Sequence, residues 1–354
     1  MVDDNGQELD RLQGARHPRD TVRLFGHERE EIQFLTAYRS GRMPHAWLLA
    51  GPEGIGKASF SYRAARFVLG NPDPQSAFVT AARTLDTDPD SPSNRRISAQ
   101  SHGDLRVLRR EIEAGKKTIP TEIRVEQVRQ AIQFFSSTSN EGGWRLAIID
   151  QMDDLNRSGA NALLKLIEEP PPRVLFLMVT SSPGRLLPTI RSRCRVLNFR
   201  PLSEGEIVSA MLDQPKPPDR ATAMRVAPYA AGSVRDAMKL TDPATLAIIE
   251  HVTTLLRRLP AIDRGELFAM VEGLTGRDKT ADFETVLDTV NRWLGEQCRE
   301  RAGEGARRLA PLAEVWEKSA RAASETDRYN LDRRPFLLTL FADLAEAVRL
   351  SHSI

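Results

Sequence analysis

Apolar residues fall into two kinds of run along the chain. Short, nearly continuous runs occur at Ala46-Trp47-Leu48-Leu49-Ala50, Leu146-Ala147-Ile148-Ile149, Val174–Val179 and Val196–Phe199. Runs of this length predict strands, and Leu146–Ile149, apolar on both faces, predicts one covered by helices. Elsewhere the apolar positions are spaced by three and four. A helical pattern from His27 to Tyr38 carries Ile32, Phe34 and Leu35, and a helix opening at Lys57 carries Phe60, Ala64, Phe67 and Val68. Val125, Val128, Ile132 and Phe135 form one stripe, and a helix over about Arg157–Glu168 ends at Pro170-Pro171-Pro172, which cannot continue it. Strands alternating with helices predict an α/β domain with a parallel sheet.

After Pro201 the pattern turns helical. A small helical segment is interrupted by Pro215, Pro217 and Pro218, and longer stripes follow, such as Leu246, Ile249, Leu255 and Leu256, then Phe336, Leu337, Leu340 and Leu344. The expected organisation is a frayed tail over 1–20, an α/β domain over 21–200, a helical lid over 201–242 and an all-α domain over 243–354. Within the α/β domain, residues 71–103 are rich in Asp, Pro, Ser and Thr and predict a surface insertion or mobile loop.

Composition narrows the class. A chain of 354 residues suggests two or three domains. Fifty basic and 48 acidic side chains leave a net charge of +2, which excludes a polybasic coat but not a sorted nucleic-acid face. Two cysteines, Cys194 and Cys298, are too few for a disulfide framework or a four-cysteine zinc site. No apolar run is long enough for a membrane span, and the polar start does not resemble a secretory signal. The expectation is a soluble, cytoplasmic protein.

Candidate chemistry begins at Gly51-Pro52-Glu53-Gly54-Ile55-Gly56-Lys57-Ala58, which fits G-x-x-x-x-G-K without the final Ser or Thr. Glycines allow consecutive backbone N–H groups to turn around phosphate oxygens at a helix N-terminus, and the lysine reaches the terminal phosphates. The hydroxyl that normally holds magnesium is missing at Ala58, and Ser59 comes one position late. Gly51, Gly54, Gly56 and Lys57 are therefore candidate ATP-binding residues of a degenerate site. The plainer alternative is a tight turn with Lys57 as a surface charge. Magnesium would bind only together with ATP.

The second strand ends in Asp150-Gln151-Met152-Asp153. In nucleoside triphosphatases with this type of loop such an aspartate supports magnesium, and an adjacent glutamate polarises the attacking water. Gln151 stands in that adjacent place, and an amide cannot accept a proton from water at neutral pH; general-base help is worth about 10²–10⁴-fold. Asp153 and Asp154 read as a charge pair at a helix start.

Further along, Asn161–Pro171 is followed by Thr180-Ser181-Ser182-Pro183-Gly184-Arg185 and then Thr189-Ile190-Arg191-Ser192-Arg193-Cys194. This series resembles the AAA+ clamp-loader subunits of bacterial DNA polymerase III, whose hallmark is Ser192-Arg193-Cys194. Phe25-Gly26-His27-Glu28 and Pro44-His45-Ala46-Trp47 look like that family's nucleotide-side entry. Gly232-Ser233-Val234-Arg235-Asp236-Ala237 looks like its lid motif, with Arg235 in the sensor position. The resemblance is strong over roughly 20–242, and Tyr329–Arg333 is similar to the delta-prime branch of the family. It implies an AAA+ domain with a parallel sheet, a helical lid and a C-terminal collar. The gamma/tau motor branch carries a complete Gly-Lys-Thr or Gly-Lys-Ser loop and an Asp-Glu strand end. Gly-Lys-Ala and Asp-Gln imply the delta-prime branch instead, in which the isolated chain is neither a polymerase nor an efficient ATPase. An active gamma/tau-type ATPase is the alternative, and a P-loop phosphotransferase for a small substrate is a third reading that Ala58, Gln151 and the helical C-terminal third disfavour.

Several roles follow only from the resemblance. Arg193, with Ser192 and Cys194, would be an arginine finger reaching ATP on a neighbouring subunit. Composition alone reads Arg191, Arg193 and Arg195 as an ordinary basic turn. Arg235 would sense nucleotide or would be structural, and Asp150 would complete the degenerate ATP site. The implied partners are gamma/tau and delta subunits in a hetero-pentameric ring, the sliding β clamp and primed DNA, with no membrane. Family members often carry a four-cysteine zinc module, but residues 71–103 contain no cysteine, so no zinc is expected and His102 alone makes no site. Cys194 and Cys298 read as packed residues. Lys165 reads as a solvated helix charge. Arg106, Arg109, Arg110, Lys116 and Lys117 form a basic cluster that could pair phosphates or simply face solvent.

Overall fold

The structure is a computed structural model that describes residues 12, 14–111, 120–136, 143–274, 279–329 and 331–353. Chain order runs α1 (Glu28–Arg39), β1 (Ala46–Ala50), α2 (Lys57–Gly70), α3 (Ala77–Ala81), α4 (Pro92–Ser98), β2 (Leu105–Leu108), α5 (Val125–Ser136), β3 (Arg145–Ile149), α6 (Arg157–Glu168), β4 (Val174–Thr180), α7 (Pro188–Arg191) and β5 (Arg195–Asn198). Helices then follow without strands: α8 (Glu204–Leu212), α9 (Arg220–Val226), α10 (Val234–Lys239), α11 (Pro243–Arg257), α12 (Arg264–Gly273), α13 (Thr280–Glu300), α14 (Ala306–Tyr329) and α15 (Arg333–Ser353). Two compact units emerge, Met1–Lys239 and Leu240–Ile354. The lid helices α8–α10 thus belong to the same unit as the sheet, and the division falls three residues before the expected start of the all-α domain.

Five parallel strands form one sheet in the order β2-β3-β4-β1-β5. The α/β class with a parallel sheet is thereby established, with β1, which leads into the glycine loop, flanked by β4 and β5. The apolar runs explain why both faces are covered. Successive side chains point to opposite faces. Trp47, Leu49, Leu146, Ile148, Leu175 and Leu177 join one core with α1 and α2. Ala46, Leu48, Ala147, Ile149, Phe176 and Met178 join the other, with α5 and α6. All five residues of β1 and of β3, and all seven of β4, are buried.

Three sequence expectations change here. β2 was not foreseen. It is a four-residue edge strand with only Leu108 fully buried and an exposed Arg106, so it lacks a continuous apolar run. Residues 71–103, expected as a surface insertion or mobile loop, contain regular structure. They hold α3 and α4, started by Ser76 and Ser91, whose hydroxyls accept from Val79 N and Asn94 N. Three of their four large apolar groups, Val79, Leu85 and Ile97, join the core, while Phe78 is exposed, so the segment looks hydrophilic while being anchored. Residues 14–20 are also docked rather than frayed. His17 is 1% exposed, Arg66 of α2 donates to the carbonyls of Arg19 and Thr21, and Arg63 donates to that of Val22. Arg63 in turn is held by Glu31 at 2.7 Å and Asp86 at 3.0 Å. Most of residues 1–13 lie outside the described residues.

The lid starts where the chain leaves β5. Ser203 and Glu206 form a reciprocal cap on α8, and Arg200 pairs with Glu206 at 2.6 Å. That ion pair holds the Glu206 carboxyl down at about 2. Among the described residues the second unit is helical, around Val252, Leu255, Phe283, Val286, Leu312, Leu337, Phe341 and Leu344, with Cys298 packed against its core. Among the described residues, no helix is long and apolar enough to cross a membrane.

Candidate nucleotide-type site and arginine turn

The glycine loop leaves the carboxyl end of β1, where open parallel sheets place their binding crevices. A cavity of about 560 Å³ lies over it, within the range of small-molecule sites. Leu24, Ile55, Leu202, Ala210, Val234 and Met238 give it an apolar side. Lys57, Arg109, Arg110, Arg235, Glu53 and Asp150 give it a charged side. The fold thus brings together Gly54, Gly56, Lys57, Asp150 and Arg235, which the sequence marks separately, and Ala58, Ser59 and Gln151 line the same space. Gly51, also marked, sits at the base of the loop, where an added Cβ would stand 2.5 Å from the Phe199 carbonyl oxygen.

Lys57 is 4% exposed and turns back on its own loop, donating from Nζ to the carbonyls of Gly51 (2.6 Å) and Pro52. Burial lowers its pKa to about 8, against the attraction of Asp150, Glu53 and Asp153. The buried His27 ring donates from Nε2 to the Ile55 carbonyl at 2.7 Å and meets Phe199 edge-on. Burial lowers the pKa of this imidazole. The Phe25–Glu28 segment is thereby a brace for the loop. Pro44-His45-Ala46-Trp47 is structural: the Trp47 indole donates to Pro44 O, and His45 O accepts from Phe176 N.

The lid presses directly on the loop. Gly54 has φ +72°, and its carbonyl accepts from Val234 N at 3.0 Å. A Cβ at this position would lie 2.2 Å from Ser233 Oγ and 2.5 Å from Arg235 Cβ. Arg235 itself pairs with Glu53 at 3.2 Å. Glu53 and Ser233 stand inside the two sequence motifs without an assigned role, and the Glu53–Arg235 pair joins positions 182 residues apart.

Asp153 and Asp154 are more than a helix-start charge pair. Asp153 accepts from Thr180 Oγ1, Ser181 N and Ser181 Oγ at the end of β4. Asp154 pairs with Arg110 at 3.0 Å, and burial raises its pKa despite that partner. The expected basic cluster is likewise engaged. Arg106 stacks over the Phe134 ring at 5.1 Å, and Arg109 is buried against His17. Lys116 and Lys117 lie outside the described residues. At the N-terminal side, Arg16 ties to the lid through Asp213 at 3.0 Å and through Gln214.

The donor set for magnesium is short of an oxygen. Ala58 lines the cavity with a methyl group, and the Ser59 hydroxyl faces Thr21 Oγ1 at 3.4 Å. Among the described residues no group of three or more His, Cys, Asp or Glu side chains is placed to hold a metal ion.

Arg193 stands apart from this cavity. It follows α7 on the turn into β5 and is 39% exposed. Its Nη1 donates to Thr189 O at 3.0 Å, and its Nη2 pairs with Glu168 at 2.9 Å at the end of α6. Ser192 Oγ donates to Thr189 O, and Arg191 donates to Pro183 O. Cys194 packs under the turn, its thiol donating to Ile190 O at 3.0 Å, and burial pushes its pKa up to about 12, so it is not a nucleophile. Lys165 is exposed on α6.

Known proteins resemble this chain along the same stretch. One relative, the tau/gamma subunit of DNA polymerase III of Haemophilus influenzae, is 28% identical over 299 residues, 80% of this chain. The alignment spans only 40% of that relative's length. The delta-prime subunit of Pseudomonas aeruginosa is 36% identical over 151 residues, 42% of this chain and 41% of the relative. The delta-prime subunit of Bacillus subtilis is 30% identical over 203 residues, 56% of this chain and 54% of the relative. A family model described as "DNA polymerase III, delta subunit" matches residues 26–203, half of the chain, covering the glycine loop, the acidic strand end and the arginine turn. The chain belongs to that family of DNA polymerase III subunits.

Proposed function

We propose that this chain works as a delta-prime-type subunit of the DNA polymerase III clamp loader. In this reading it joins gamma/tau and delta subunits in a hetero-pentameric cytoplasmic ring that places the sliding β clamp on primed DNA. It hydrolyses little or no ATP itself and supplies Arg193 to ATP held by the adjacent motor subunit. A guanidinium suits that task because it is planar, permanently charged and multidentate. Aimed at the γ-phosphate, it stabilises the charge that develops as the bond to the leaving oxygen breaks, an effect worth about 10³–10⁵-fold.

One contrast carries the reading. Arg193 sits on an exposed turn outside its own cavity, while Lys57 is spent on the carbonyls of its own loop. The cavity also lacks the hydroxyl at 58 and the carboxylate at 151 that turnover needs. The delta-prime relatives of Pseudomonas aeruginosa and Bacillus subtilis support the same branch. A gamma/tau-type ATPase is the second reading, favoured by the longer alignment to the tau/gamma relative.

The two readings separate in one experiment. The isolated chain and its Lys57→Ala variant are assayed for ATP turnover, and Arg193→Ala is assayed in the reconstituted ring. Background turnover by the isolated chain, with a collapse of ring turnover on Arg193→Ala, is expected. Brisk turnover by the isolated chain that vanishes on Lys57→Ala would establish the motor reading instead.

A further inference from the structure

The charged side of the cavity is already balanced by the chain itself. Arg16 pairs with Asp213, Arg110 with Asp154 and Arg235 with Glu53. Glu53 is the unusual member of this set, because it lies in the glycine loop, where a nucleotide's phosphates would be expected. It faces both cations of the phosphate end: it pairs with Arg235 at 3.2 Å, and it acts electrostatically on Lys57. The surrounding contacts keep it there. Val234 N donates to Gly54 O, and Ser233 and Arg235 abut Gly54 so closely that no side chain fits between loop and lid.

We infer that Glu53 is a built-in counter-anion that holds the lid on the glycine loop and disfavours nucleotide polyphosphates. The inference rests on reading residues 51–58 as a phosphate cradle. A triphosphate entering this site must compete with a tethered carboxylate for Arg235. It must also approach Glu53, Asp150 and Asp154 without the magnesium ligand that Ala58 fails to supply. A carboxylate on the same chain is present at high effective concentration, whereas a nucleotide must be recruited from solution. The lid is therefore closed by an intramolecular ion pair and two backbone contacts instead of by a ligand. Glu53 is a specificity-determining residue that acts against the phosphate ligands a glycine loop of this shape accommodates.

The test is a titration of the full chain with fluorescent N-methylanthraniloyl-ATP, with and without magnesium. The proteins are the wild type, Glu53→Gln, Arg235→Gln, the Glu53→Gln/Arg235→Gln double variant and Glu53→Gln/Lys57→Ala. Glu53→Gln is expected to bind about tenfold more tightly than wild type, the size of effect one removed charge gives near a protein surface. The gain should disappear when Arg235 is also replaced, because the freed cation is what the phosphates acquire. Equal or weaker binding by Glu53→Gln overturns the inference, as does the absence of binding by every protein up to millimolar nucleotide. A gain that survives Arg235→Gln also overturns it, since Glu53 would then act by repulsion alone. Binding by Glu53→Gln that persists after Lys57→Ala would instead show that the loop is not the cradle. None of these outcomes bears on Arg193, which the ring assay reads separately. Glu53 is 56% exposed, so its replacement leaves the core intact, and a melting curve of each variant verifies this.

Discussion

The glycine loop and the arginine turn lie at opposite extremes of how a cation can be used. Lys57 is buried, bonded to its own loop and roofed by the lid. Arg193 is 39% exposed on its turn, donates to Thr189 O and pairs with Glu168, a carboxylate that is itself 44% exposed. Both residues come from motifs of the same family, yet one is turned inward and the other outward. The difference teaches that a motif indicates ancestry, while the partners a side chain keeps indicate what it is free to do.

The comparison can be broken most forcibly at Arg193. We expect Arg193→Ala to lower ATP turnover of the reconstituted ring by about 10³–10⁵-fold while leaving the melting temperature of the isolated chain within a degree or two of wild type. Full ring turnover with this substitution would end the outward reading. Next in size, Gly54→Ala should destabilise the first unit by about 2–3 kcal/mol, measured by urea unfolding. It forces a Cβ into Ser233 Oγ at a backbone φ of +72°. An unchanged midpoint would mean that loop and lid are not in contact in solution.

A smaller effect should come from the pH dependence of Lys57. Its pKa in the fold is about 8, below the ordinary 10.5, so between those values the unfolded chain binds more protons than the folded one. Stability attributable to this residue therefore rises as pH climbs from 8 towards 10.5, and its charge is a cost at pH 7. We expect the melting temperature of wild type minus that of Lys57→Met to increase between pH 7 and pH 10. A flat or falling difference would place the ammonium in water. Smallest of all, Glu168→Gln should change stability by less than about 1 kcal/mol, the usual value of an exposed pair, and the measurement is the same urea midpoint. A larger loss would make the arginine turn a structural fixture like the loop.

Much of the first unit is legible in the residues. Three strands, β1, β3 and β4, announce themselves because a strand buried on both faces needs an unbroken apolar run and little else; β5 is read from a shorter run, although as an edge strand it buries only Leu197. α6 follows from its stripe and the three prolines after it. The edge strand β2 is hidden because an edge needs only one good apolar residue. Residues 71–103 mislead for a related reason: a segment with three buried anchors and many polar residues is compositionally a loop, while two serine caps and a proline in the first turn specify short helices. The partners of the basic cluster are not legible either, since charge in sequence does not reveal that Arg106 finds a ring, Arg109 a histidine and Arg110 a carboxylate.

The sequence by itself determined the alternation of strands and helices, the glycine loop with its missing hydroxyl, the amide beside the acidic strand end and the arginine on the turn before the last strand. These are written in near neighbours, where periodicity and turn chemistry act. Only the tertiary structure decided that Glu53 takes Arg235, that Ser233 closes on Gly54, that Arg63 and Arg66 tie down the N-terminal segment and that Glu168 holds Arg193. Such pairings join residues far apart in the chain, and their geometry exists only after the sheet order has brought the ends of its strands together.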